Sequence, residues 1–118
     1  MLNVTIPSDA SPKGIDFSPL LKGGAIVEQP YLYGQYDLHN SGLAYMRIVR
    51  SPELKYVRHF RSNYMDELYD LKSDPGETKN LIRRTGPPKQ HEAEVARMKW
   101  AMEAWMKSID DPLLKDRY

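Results

Sequence analysis

Residues 66–81 constrain the fold more than any other part of the chain. Leu68 and Leu71 flank Tyr69 in an aliphatic and aromatic run of strand length. Asp74, Pro75, Gly76 and Glu77 follow as a tight turn. Pro75 presets its own φ at the first central position, and Gly76 suits the positive φ of a type II turn at the second. Thr78 is placed to cap a turn running through Asn80, with Leu81 folding back onto the strand. A strand with such a return needs neighbours to pair with, and the chain supplies them upstream.

Residues 31–37 alternate around Gly34, with Tyr31, Tyr33 and Gln35 set against Leu32, Gly34 and Tyr36, as expected for a strand with one polar-aromatic face. Loop chemistry follows at residues 37–42. Ala44, Met46 and Ile48 then alternate with Tyr45, Arg47 and Val49, which predicts a second strand. Ser51, Pro52 and Glu53 make a hairpin turn. Residues 54–60 form a third strand on which Leu54, Tyr56 and Phe60 share a face, and the opening stretch is the fourth. Short links between consecutive strands favour an antiparallel meander.

After a linker at residues 83–90, interrupted by Gly86, Pro87 and Pro88, comes the clearest periodicity. Val95, Met98, Met102, Trp105 and Ile109 fall at spacings of 3, 4, 3 and 4, one apolar stripe on a helix from about residue 91 to 108. This stripe is the ridge expected to cover one face of the sheet. Asp110 and Asp111 are expected to cap a further turn that starts with Pro112. Residues 1–30 read as an irregular lead-in. Within it, Asp16 or Ser18 can cap a single helical turn that starts at Pro19 and ends at Gly23 and Gly24, with Phe17, Leu20 and Leu21 on one side, facing something larger. The fold class is thus α+β: a four-stranded antiparallel sheet covered on one face by a long C-terminal helix, after an irregular N-terminal lead-in. The 118 residues make one domain, divided into a lead-in (1–30), sheet and turn motif (31–82), linker (83–90) and helix with tail (91–118).

Composition excludes several function classes. The chain has no cysteine, hence no disulfide, thiolate zinc site or cysteine nucleophile. A formal net charge of +1 argues against bulk attraction to polyanions. No apolar run approaches the roughly 18 residues of a membrane span, and the N-terminal residues lack the pattern of a secretion signal.

Glu67, Leu68, Tyr69, Asp70 and Leu71, then Asp74 and Pro75, Glu77, and Asn80 with Leu81, together resemble the C-terminal signature of the type I sulfatases. Residues 14–23 are similar to the family's Gly-x-Ser-(Leu or Phe)-x-Pro-Leu-Leu-x-Gly segment, with Asp16 where Ser is common. The Lys55 and Tyr56 step and a Trp-containing last helix followed by Asp110, Asp111 and Pro112 complete the likeness. The resemblance implies the smaller C-terminal subdomain of a sulfatase. A complete sulfatase would need calcium and a formylglycine made from Cys or Ser in a Cys/Ser-x-Pro-x-Arg segment. The chain has no Cys, no Ser followed by x-Pro-x-Arg, and no counterpart of the family's calcium-holding Asp pairs. The resemblance therefore implies no catalytic residue, no metal and no cofactor within this chain, which is expected to be inert alone. The partner would be a sulfatase catalytic domain, in cis or in trans, with a sulfate ester as substrate only in that context; the family is often exported, periplasmic or lysosomal.

Substrate-side candidates are His39 and Asn40, in the loop after the first strand, with Arg47 and Arg50 on the second. Arginine suits sulfate or carboxylate because its paired N–H groups fit two oxygens at once. Residues 47–61 carry Arg47, Arg50, Lys55, Arg58 and Arg61 against Glu53, a formal +4. The alternative reading is a free-standing module that binds anions or single-stranded nucleic acid on this basic, tyrosine-bearing sheet face. Near-neutral overall charge and the absence of an RNA-reading aromatic motif make nucleic acid the lesser expectation.

Overall fold

The computed structural model describes residues 5, 8–9, 18–25, 30–38, 44–60 and 63–115. A single helical turn, α1 (Ser18–Leu21), precedes four strands, β1 (Leu32–Leu38), β2 (Ala44–Arg50), β3 (Leu54–Phe60) and β4 (Glu67–Asp70), and a long helix, α2 (Glu92–Ser108). The strands form one antiparallel sheet in the order β1-β2-β3-β4, the meander that the short links require. Ser51 closes the β2–β3 hairpin, with its hydroxyl accepting from Leu54 N at 3.0 Å.

Alternation sorts the strands into two faces. Val49, Leu54, Tyr56 and Leu68 point to α2 and meet Val95, Met98, Met102 and Met106 in one core, which Leu113 extends. In register, Val49 lies opposite Tyr56 and Tyr56 opposite Leu68, so these side chains form a row across the sheet beneath the helix. The predicted stripe holds at Val95, Met98 and Met102, then shifts. Met106 is fully buried, Trp105 packs half-buried at the edge, and Ile109 lies past the helix end. Trp105 stacks nearly parallel on Tyr33, with ring centroids 5.1 Å apart. Two residues after the helix, Asp110 lies in the left-handed region with φ 53°, which Asp tolerates better than most residues. Asp111 caps the next turn as expected, accepting from Leu113 N at 3.0 Å.

The turn after β4 departs from expectation. Gly76 does not take the positive φ; Glu77 does, at 54°. The cause is Asp74, whose carboxylate accepts from Thr78 N (3.1 Å), the Thr78 hydroxyl (2.9 Å) and Lys79 N (2.9 Å). Wrapping the backbone around that carboxylate forces the left-handed residue one position later. Asp74, not Thr78, is the cap. Asn80 then stands in for a further strand. Its Oδ1 accepts from Leu68 N (3.0 Å) and Ile82 N (2.9 Å), and its Nδ2 donates to Asp66 O (3.2 Å). Leu81 N donates to Leu68 O at 2.9 Å, the predicted return onto the strand.

In the lead-in, α1 forms where Pro19 and Gly23 place it, with Gly23 at φ 78°. Phe17 lies outside the described residues. Leu20 and Leu21 are 57% and 63% exposed, so in this chain they do not pin the segment to the sheet.

Candidate functional site

Of the four sequence-derived candidates, Arg47 and Arg50 lie on β2. His39 and Asn40 lie outside the described residues. The hairpin on either side of them is well defined, since Leu38 pairs with Ala44 and Asp37 with Tyr45. Arg50, at the far end of β2, is exposed and stands opposite Leu32 on one neighbour and Lys55 on the other.

Arg47 is different. It shares the core face with Val49 and is 1% exposed. Its Nε donates to Asp111 Oδ2 at 2.5 Å, and Nη2 donates to Asp111 Oδ1 at 3.0 Å and to Asp37 Oδ2 at 3.3 Å. Nη1 donates to Asp37 Oδ1 at 2.7 Å and to Met46 O at 2.9 Å. Those bonds use every N–H that a guanidinium has, so no donor remains for a sulfate. What Arg47 does is tie three pieces of chain together: the end of β1, the middle of β2 and the turn after α2. Burial works against its charge, but the hydrogen bonds and charges of Asp111 and Asp37 prevail and raise its pKa. For Asp111, burial pulls upward, while the Arg47 hydrogen bond, the Leu113 N–H and the Arg47 charge hold the carboxyl below its ordinary value. Sequence reasoning missed both carboxylates as partners of Arg47. Asp37 read as the start of a loop, and Asp111 only as a cap.

Two other basic residues of this segment, Lys55 and Arg58, are also matched. Arg58 pairs with Glu103 of α2 at 3.2 Å and its guanidinium lies over the Phe60 ring. Lys55 pairs with Glu77 of the turn at 2.8 Å. Arg61 lies outside the described residues. On the sheet face away from α2, His59 Nε2 meets Glu67 Oε1 at 2.7 Å and Tyr69 donates its hydroxyl to Glu67 Oε2 at 2.5 Å. Burial pulls the Glu67 carboxyl upward, but the bonds from Tyr69 and His59 and the His59 and Lys55 charges leave it lowered. The same bond, with burial and the Glu67 charge, pushes the Tyr69 hydroxyl up to about 12. The Tyr56 hydroxyl donates to Asp66, and burial first, then this bond, raises its pKa. These groups are locked to one another, and none is poised as a free base or nucleophile. Among the described residues no three His, Asp or Glu side chains converge in a way that could hold a metal ion.

Comparison with known proteins adds the family. No family model matches the chain. It is 33% identical over 88 residues to the Delta 4,5-hexuronate-2-O-sulfatase of Bacteroides thetaiotaomicron, a match covering 70% of this chain and 17% of that protein. It is 28% identical over 130 aligned residues to the ulvan-active sulfatase of Formosa agariphila, covering 85% of this chain and 25% of that one. The fold matches the solved structure of BT4656 in complex with its substrate D-glucosamine-2-N,6-O-disulfate, with a TM-score of 0.72 at 20% identity, over 96% of this chain and 23% of that one. The chain thus spans a quarter or less of the length of the curated relatives it matches. With the signature of residues 67–81 folded as one unit against the sheet, sequence and fold together identify the chain as a sulfatase-type part, fitting the C-terminal subdomain of that family.

Proposed function

We propose that this chain completes the catalytic domain and substrate cleft of a sulfuric ester hydrolase and is inert on its own. One observation supports the reading: a sheet and helix matching 96% of this chain but only 23% of a solved chain, with sulfatase relatives covered to 17% and 25% of their length. Sulfate ester hydrolysis in the resembled family uses a formylglycine hydrate and a divalent cation, and the chain encodes no Cys and no Ser-x-Pro-x-Arg segment from which to make the former. In this reading His39 and Asn40 face the substrate from the β1–β2 loop. Arg47 holds the base of that loop by fixing Asp37 and the turn at Asp111.

Exposed apolar groups support a docked arrangement. Besides Leu20 and Leu21, a groove of about 600 Å³ runs between β1 and α2, lined by Tyr31, Tyr33, Ala104 and Trp105, with Trp100 at 75% exposure. Aromatic side chains left open to water in this way are typical of surfaces that a partner covers. The purified chain should show no turnover of a chromogenic aryl sulfate above buffer, with or without calcium; calcium-dependent turnover would refute inertness. Co-expressed with a sulfatase catalytic domain from the same source, it should co-purify with that domain. Trp100→Glu should weaken the complex and leave the fold intact. Absence of any complex would sink the docking role.

A further inference from the structure

Resting on the sulfatase reading above, we infer that the cleft between the turn after β4 and the following hairpin is an anion subsite for a sulfate group borne on a sugar. The charge distribution leads there. The basic residues of the sheet that the structure describes are largely neutralised: Arg47 by Asp37 and Asp111, Lys55 by Glu77, Arg58 by Glu103. Residues 79–89, by contrast, carry Lys79, Arg83, Arg84 and Lys89 with no Asp or Glu, a formal +4. None of these four belongs to an ion pair among the described residues.

Lys79 and Arg83 line a cavity of about 270 Å³ together with Leu81, Thr85, Gly86 and Pro87, and no carboxylate borders it. The neighbouring cavity at the other end of the linker is bordered by Glu53, Asp70 and Glu94, so the two cavities flanking the linker differ in charge. The walls are fixed before any ligand arrives. Asn80 is held by three backbone hydrogen bonds, and Lys79 N is bonded to Asp74. Arg83 and Gly86 exchange backbone bonds of 3.2 and 2.8 Å, closing a tight hairpin that needs Gly86 at φ 101°. Pro87 and Pro88 stiffen the exit. With Arg83, Lys79 and Thr85 among its lining residues, this small cleft offers residue types suited to the charge and hydrogen-bonding needs of a tetrahedral oxyanion, and the preset walls lower the ordering cost of binding it. Sulfate on a sugar is favoured over phosphate or nucleic acid because two similar proteins are named sulfatases and a structure of similar fold is solved with a disulfated glucosamine as its substrate.

The test is an amide-resolved NMR titration of the 118-residue chain with D-glucosamine-2-N,6-O-disulfate, with N-acetylglucosamine as the uncharged control. The sulfated sugar should shift the amides of Lys79, Leu81, Arg83, Thr85 and Gly86 saturably, and the uncharged sugar should not. Arg83→Gln should weaken binding about tenfold and Lys79→Gln by a smaller factor, while Arg84→Gln, outside the lining, changes it by less than about twofold. Spectra of the variants outside the cleft report that each still folds. Affinity should fall with added salt, because both cations are exposed. No saturable shift, shifts centred elsewhere, or an equal response to the uncharged sugar would overturn the subsite. Tighter binding of N-acetylglucosamine 6-phosphate or of oligothymidine at the same amides would overturn the sulfated-sugar assignment. No catalytic domain takes part, so a negative titration removes this subsite and leaves the docking role standing, and failed docking does the reverse.

Discussion

Removing Asp111 probes the clamp that joins the sheet to the chain after α2. Asp111→Ala deletes two of the bonds to Arg47, at 2.5 and 3.0 Å, and the cap bond to Leu113 N. Both side chains are out of water, at 1% and 0% exposure. Arg47 would keep a single carboxylate, Asp37, which is itself 32% exposed. Breaking a buried pair from one side costs about 3–5 kcal/mol, because the surviving charge stays buried with incomplete compensation; the lost cap adds up to about 1 kcal/mol. Against a total stability of about 5–15 kcal/mol for a domain, the melting temperature should fall by on the order of 10–20 °C.

The controls make the reasoning specific. Asp37→Ala should cost only about 1–2 kcal/mol, since water can reach that side of the guanidinium. Replacing both partners, Arg47→Met with Asp111→Leu, should recover most of the loss, because no buried charge is left. The pH dependence follows from the depressed Asp111 pKa. A carboxyl lowered in the folded state contributes stability that is complete above its unfolded value, near 4, and is lost as pH falls through the folded value. Urea unfolding between pH 7 and pH 2 should therefore show an acid limb that is shallower in Asp111→Asn than in the parent. A loss below about 1 kcal/mol for Asp111→Ala, or a double replacement no better than the single one, would refute the clamp as an energetic unit.

Other sites give independent checks. Met102→Asp puts an unpaired charge at a position with 0% exposure and should cost several kcal/mol, about 3 or more; a melting temperature unchanged within a degree or two would deny the helix its place in the core. Asn80→Ala frees two amides and a carbonyl at the β4 return and should cost about 2–4 kcal/mol, read by urea unfolding, with faster amide exchange at Leu68 and Ile82. Because Arg47, Lys55 and Arg58 are paired, the sheet should not bind a random oligonucleotide near physiological salt. A sub-micromolar, salt-sensitive complex mapped to β2 and β3 would revive the free-standing module.

The parts of the fold that were legible from residues are those set by local pattern. Alternation in residues 44–49 and 54–60, with hairpin chemistry at Ser51 and Pro52, gives β2 and β3 in place, and the methionine spacing gives α2 nearly residue for residue. What failed depends on side-chain partners that the alternation and turn patterns do not name. Arg47 reads as a substrate-side anion holder, although its parity with Val49 puts it on the core face; its partner Asp111 is 64 residues away. Gly76 looked like the residue for positive φ because turn grammar is local, whereas the three bonds to Asp74 settle the backbone and pass that φ to Glu77. The linker at residues 83–90 looked featureless because a cleft lined by Lys79 and Arg83 exists only once the Asn80 return and the Gly86 hairpin have brought its walls together.

The residues that carry the sulfatase likeness are themselves committed to the backbone. Asp70 accepts from Lys72 N and Ser73 N, Asp74 from Thr78 and Lys79, and Asn80 bridges β4 to residue 82. Glu67 holds His59 of the neighbouring strand and Tyr69 of its own, and Leu68 is fully buried. A signature spent in this way reports how the subdomain folds and says little about which ester it meets. Lys79 occupies an unspecified position of that signature, and Arg83 lies just beyond it. Residues that differ freely within a shared frame are where specificity can be set without cost to folding. Exchanging Asn80 should therefore change stability with little effect on ligand choice. Exchanging Lys79 and Arg83, both exposed, should change ligand choice and leave stability within about 0.5 kcal/mol.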